Sequence, residues 1–299
     1  MNQGVMLKDY VLNSDYRMLS DSVIIKLSKE LADDYDEGKY NSFLEVLMKS
    51  ADLIDNLGLR YPGEANPKYY VYIIPIEKQE LLNIPQNFNK GNGGGKPVKG
   101  FELDGFNSAY GITDNMCKRD NTSDKRLINT VHELTHLVTG MYINWSDRYI
   151  SEGISEAVPY YVMNYEEIDE EHINLIANLN ENDIKTAKEL IMEEKDGTYG
   201  NESLSNNDSC SYRSSYVSSY LFVASLLDYI KTKYEIDRAS ALQVFYKLCK
   251  RAINRGENML YEFADELNMD PQELIDSKSL QLSYINNVKG IENKKTMTK

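Results

Sequence analysis

Apolar residues recur along most of this chain at steps of three and four, and the rhythm breaks in two short β-rich runs. The first helical stretch spans about Asp21 to Leu57, with Phe43, Leu47, Ala51 and Ile54 on one face. Gly58 and Pro62-Gly63 stop it. Tyr69 to Ile76 (YYVYIIPI) is short, aromatic and β-branched, which predicts a buried strand. Gly91 to Lys96 (GNGGGK) predicts a flexible loop rather than a phosphate cradle, since Pro97 stands where a Ser or Thr would be needed. Phe101 to Thr113 turns extended again, and Gly105 and Gly111 predict bulges or an edge position.

Thr122, Ser123 and Asp124 offer an N-cap for a helix running to about Met141. Leu127, Val131, Leu134, Val138 and Met141 form its apolar stripe. A second helix starts near Tyr149 and runs through Ala157. Beyond Ile173 the pattern is helical, at about Asp183 to Glu194, Ser215 to Lys233, Asp237 to Asn254 and Asn258 to Leu267. Asp270 before Pro271 caps one more short helix. The expected organisation is an N-terminal α/β part at 1–172, a helical part at 173–292 and a disordered polar tail at 293–299, which makes an α+β chain.

The 299 residues allow a large core, and the composition is that of a globular protein. A net charge of −14 with no basic patch argues against a nucleic-acid partner. The acidic run Glu166 to Glu171 lacks the alternating ligands and central Gly of a calcium loop and predicts a solvated helix end. Cys117, Cys210 and Cys249 are odd in number and far apart, so idle or buried thiols are expected, not disulfides. No stretch reaches transmembrane length, and Met1 to Tyr10 has no secretory pattern. The expectation is a cytoplasmic protein with no membrane partner, or one exported unconventionally. The pattern sets no oligomeric state.

Only three histidines are present, and two share one word, His132-Glu133-Leu134-Thr135-His136. On a helix the two imidazoles lie one turn apart on one face, off the apolar stripe, where a tetrahedral metal takes both. Glu133 between them then reaches a water on the metal and serves as general base. A catalytic zinc wants a third protein ligand and an open position. His172 follows an acidic run and is poorly placed; Glu152 and Glu156, one turn apart on the next helix, are the natural candidates.

With Val131 to His136 (VHELTH) and Tyr149 to Tyr161 (YISEGISEAVPYY), the chain resembles the gluzincin metallopeptidases, of the aminopeptidase or clostridial-collagenase type. The resemblance implies a zincin-like fold, with a small mixed sheet, an active-site helix pair and a mostly helical C-terminal subdomain. It makes Glu152 the third zinc ligand and Glu156 an acidic partner that orients a metal histidine. Fifteen residues separate His136 from Glu152; the nineteen before Glu156 are the spacing of thermolysin-type motifs, where Pro159 then falls at a small-residue position. It also implies an edge strand, here Gly105 to Ile112, that binds an extended substrate by β-addition. A tyrosine donating to the oxyanion is expected among Tyr212, Tyr216 and Tyr220, with Tyr216 the best match. The Gly-x-Met-Glu-Asn element that grips a free amino terminus is absent. The expected activity is therefore zinc-dependent endopeptidase cleavage of a peptide or protein. The rivals are a zinc hydrolase of non-peptide substrates and a binding or regulatory protein on a zincin scaffold.

Overall fold

The computed structural model describes residues 16–18, 23–32, 37–56, 69–82, 95–103, 106–117, 124–139, 147–162, 179, 181–200, 214–255 and 258–297. They fall into two compact units, Met1–Val138 and Thr139–Lys299.

The first unit is built on a five-stranded mixed sheet of order β1-β2-β3-β5-β4. The strands are β1 (Tyr16–Met18), β2 (Val23–Leu27), β3 (Tyr69–Ile74), β4 (Gly95–Leu103) and β5 (Phe106–Thr113). β2, β3 and β5 form a parallel centre, with Ile25 opposite Val71 and Val71 opposite Tyr110. All six residues of β3 are buried, as a continuous apolar run in a central parallel strand should be. β3 ends at Ile74, before Pro75 and a 3₁₀ turn at Ile76–Leu82, so the strand is shorter than the expected Tyr69 to Ile76.

Three expectations need correction. Val23 to Leu27 is β2, not the start of a helix: VIIKL is β-branched, buried and paired with β3 along its whole length. The helices of this stretch are α1 (Lys29–Ala32) and α2 (Glu37–Asn56). Phe43, Leu47, Ala51 and Ile54 of α2 are fully buried, as their spacing predicts. Second, Gly95 and Lys96 open strand β4 and are not loop; residues 91–94 lie outside the described residues. Third, β5 is not an edge. β4 pairs antiparallel with its outer side and takes the edge among the described strands, where Pro97 is tolerated for want of an N–H. Gly111 sits in regular pairing between Tyr72 and Lys96, and the irregular register falls between Lys99 and Leu103 instead. Gly105 is outside the described residues. Helices α3 (Asp114–Cys117) and α4 (Asp124–Thr139) complete this part of the chain.

The second unit is helical: α5 (Arg148–Val162), α6 (Ala187–Asp196), α7 (Ser214–Tyr234), α8 (Arg238–Arg255), α9 (Met259–Leu267), α10 (Pro271–Asp276) and α11 (Lys278–Met297). α11 continues through Asn293, where a tail was expected. α7 packs against α5, α6, α8 and α11 and is buried for most of its length, which its apolar run Leu221 to Leu227 makes favourable. Its buried serines serve the neighbouring chain: Ser215 Oγ accepts from Gly200 N (3.1 Å), and Ser218 Oγ from Lys185 N (3.0 Å). α6 begins after Thr186, whose capping box with Glu189 satisfies two orphan N–H groups; Asp183 belongs to a separate 3₁₀ turn, which corrects the expected start. Asn258 and Asp270 cap α9 and α10, as predicted. Cys249 is fully buried, and burial pushes its thiol pKa up, so it stays protonated. Among the described residues no helix is long and apolar enough to cross a membrane.

Candidate metal centre

α4 presents the two imidazoles by helical geometry alone. Val131 and Leu134 of its stripe are fully buried, while His132 and Glu133 are half-buried. The side chains of Leu127 and Val138, and Met141 altogether, lie outside the described residues. His136 is buried, one turn on. The two rings are 4.7 Å apart between centroids and nearly perpendicular, at 79°. Their Nε2 atoms are 3.0 Å apart, so both aim at one point. Two nitrogens on one tetrahedral zinc at ~2.05 Å would be separated by about 3.3 Å.

The carboxylate that joins them is Glu152. Ligand atoms of His132, His136 and Glu152 all lie within 4.8 Å of one another, and among the described residues these three form a group that could hold a metal ion. Glu156, half-buried on the same helix, is not in the group. Neither is Cys117, a buried thiol whose Sγ lies 3.6 Å from Thr113 O. His172 lies outside the described residues, as does the acidic run Glu166 to Glu171. Two imidazoles and one carboxylate are a donor set that fits a divalent metal ion, zinc among them.

α5 brings Glu152 into place through neighbours that the sequence pattern did not single out. Glu194, from α6, accepts from the backbone N of Arg148 with both oxygens, at 3.2 and 3.1 Å. An anion at a helix N-terminus is stabilising there. Burial raises the Glu194 pKa, and the Arg148 N–H works against that rise. Gly153 follows Glu152, and a Cβ there would stand 2.4 Å from Ser219 O and 2.6 Å from Val223 Cγ2 of α7. Only glycine lets the two helix backbones come this close.

Arg148 stands one turn before Glu152. Its Nε is 3.3 Å from Glu152 Oε1, and its Nη2 donates to Tyr216 Oη at 2.9 Å. Burial opposes its charge, but the fields of Tyr216 and Glu152 outweigh this and raise its pKa. The guanidinium lies over the Tyr199 ring, 4.7 Å from its centroid. Tyr199 is itself held neutral, its pKa well raised by burial first and Glu152 second, with its hydroxyl 2.8 Å from Ser219 Oγ. Of the three tyrosines considered from sequence, Tyr216 therefore shares Arg148 with the Glu152 carboxylate. Tyr220 is buried with its hydroxyl on Tyr284, at 3.1 Å, and Tyr212 is outside the described residues. The spacing of Arg148 and Glu152, four apart on a helix, was a readable signal for their pairing. Nothing local announces Glu194 or Tyr199.

Compared with known proteins, the chain matches no family model and no curated sequence.

Proposed function

We propose that the protein is a zinc-dependent endopeptidase of gluzincin type. The observation that carries this is the convergence of His132, His136 and Glu152 around a helix whose intervening residue is Glu133. His132, His136 and Glu152 would hold the ion. Zinc, when bound, acidifies water and polarises a carbonyl. Glu133, between the two histidines and half-buried, takes the proton of the attacking water and passes it to the leaving amine. The Tyr216 hydroxyl donates to the developing oxyanion. Glu156 orients a metal histidine, as in the family it resembles. An intact Glu133 favours catalysis over a binding role, because a scaffold that only binds has no use for the base.

A peptide substrate is favoured by the sheet. β4 is antiparallel to β5 and takes the edge among the described strands, the kind of surface on which an extended chain pairs. The amine-gripping element is missing, so cleavage is internal. The test is a digest of a library of N-terminally blocked peptides, with wild type, with chelator, and with Glu133→Gln. Internal cuts are expected that disappear with chelator and slow by roughly 10²–10⁴-fold in Glu133→Gln, with zinc retained. Cleavage confined to free-amine peptides, one residue at a time, would sink the endopeptidase reading, and an unaffected Glu133→Gln would sink the role of the base.

A further inference from the structure

Arg148 has no place in the chemistry proposed above, yet several groups of the site converge on it. It is the first residue of α5, and its backbone N–H is held by the Glu194 carboxylate. Its guanidinium reaches Glu152 Oε1 on its own helix and Tyr216 Oη on α7. Tyr199 lies against one face of the group, 4.7 Å away, and the Tyr216 ring centroid is 5.9 Å away. Ser219 ties the Tyr199 hydroxyl back to α7 at 2.8 Å.

The side chain of Arg148 is 40% exposed, so water could solvate it without these partners. Ion pairs at that exposure are worth little to stability. What the arrangement does supply is geometry. A guanidinium is a rigid planar fork, and here two of its three nitrogens, Nε and Nη2, go to groups on two helices. A carboxylate has two oxygens, so an arginine on Oε1 is compatible with a ligand bond from the same group. A phenol oxygen that accepts from a cation still carries its own proton, and the cation makes that proton a better donor.

We propose that Arg148 is a positioning residue that aligns Glu152 with Tyr216, holding the carboxylate for the metal and turning the phenol into an oriented donor. The Tyr216 half rests on the peptidase reading; the Glu152 half does not. Arg148 acts through these two groups.

The experiment compares Arg148→Met, Arg148→Lys, Tyr216→Phe and Arg148→Met/Tyr216→Phe. Zinc affinity is read by competition with a chelator, folding by the melt of the zinc-free protein, and kcat and KM on a blocked peptide taken from the library. Arg148→Met is expected to bind zinc about 10–100-fold more weakly, the usual cost of losing a partner that orients a ligand, with the melt nearly unchanged. Tyr216→Phe should bind zinc as wild type does and lose kcat, not KM. Adding it to Arg148→Met should cost less than it costs alone, because the two then act as one unit. Arg148→Lys should recover zinc affinity in part and kcat hardly at all, since an ammonium cannot serve both atoms as a fork does. Wild-type zinc affinity in Arg148→Met, or full recovery of kcat in Arg148→Lys, would overturn the proposal. If wild type cuts no peptide, the peptidase reading fails while the zinc arm still decides the Glu152 half. Should Arg148→Met not fold, a folded Arg148→Lys with intact zinc and undiminished kcat would refute it.

Discussion

Two buried glutamates in the helical unit are paired with arginines to different ends. Glu262 of α9 is 2% exposed and is met on both oxygens, by Arg251 on Oε1 and by Arg255 Nη1 on Oε2 at 3.2 Å. Arg251 goes on to Glu266 at 2.8 Å. Glu152 of α5, 8% exposed, meets Arg148 on Oε1 and stands with two imidazoles. A carboxylate between two guanidiniums has its charge answered within the fold, and it holds α8 and α9 together. A carboxylate grouped with two imidazoles offers three donor atoms within 4.8 Å of one another that one metal ion could take together. Burial and an arginine do not distinguish the two; the remaining neighbours do.

Metal binding separates them most sharply. The wild-type protein is expected to carry about one zinc per chain, by analogy with three-ligand catalytic sites. Glu152→Ala should strip or severely weaken it, whereas Glu262→Ala should leave it stoichiometric by elemental analysis after dialysis. Equal zinc in both variants would erase the distinction. Stability should rank them the other way. Glu262→Ala removes the partner that Arg251 and Arg255 share and leaves Arg251 with Glu266, and since both guanidiniums reach solvent the loss is placed at about 2–3 kcal/mol, below the full cost of breaking a buried pair. Glu152→Ala, measured without zinc, should lose about 1 kcal/mol or less. Urea unfolding of the two variants tests the order.

If packing and not the ion pair seats α5, Gly153→Ala should cost about 1–3 kcal/mol, because the new methyl meets the Ser219 backbone oxygen, which cannot swing away. An unchanged urea midpoint would mean the helices separate freely.

The smallest difference is in pH. The Glu266 pKa is lowered, first by its hydrogen bond from Arg251, so its contribution is present above the unfolded carboxylate pKa and fades as pH falls through the lower folded value. The Glu194 pKa, beside Arg148, is raised by burial, so ionising it costs stability as pH rises through the folded value, and acid relieves that cost. Melts at pH 3 to 6 should show Glu266→Gln flattening the acid loss and Glu194→Gln steepening it. Matching slopes would mean the two carboxylates respond alike.

Local pattern carried much of this fold. The histidine word on its helix, the burial of Val131 and Leu134 beside it, the start of α5, the caps at Asn258 and Asp270 and the buried strand β3 were all legible, because each depends on residues close in sequence. β2 was not legible: VIIKL is apolar in any period, and only the company of β3 makes it a strand. The place of β5 was misread for a related reason. Its glycines suggested an edge, but sheet order is set by which strands pair, and β4 takes the outer position.

The sequence by itself determined that the two imidazoles share one helix face, one turn apart, since residues four apart are neighbours once the helix forms. It narrowed the third ligand to two glutamates a turn apart, and the family resemblance favoured Glu152 over Glu156. The tertiary structure groups ligand atoms of Glu152, and not of Glu156, within 4.8 Å of those of both imidazoles, as a set that could hold a metal ion. It also brought Tyr216, Tyr199 and Glu194 to Arg148, the neighbour of that carboxylate. These residues come from three helices and a turn, and chain spacing carries no record of which surfaces will meet when apolar faces are buried.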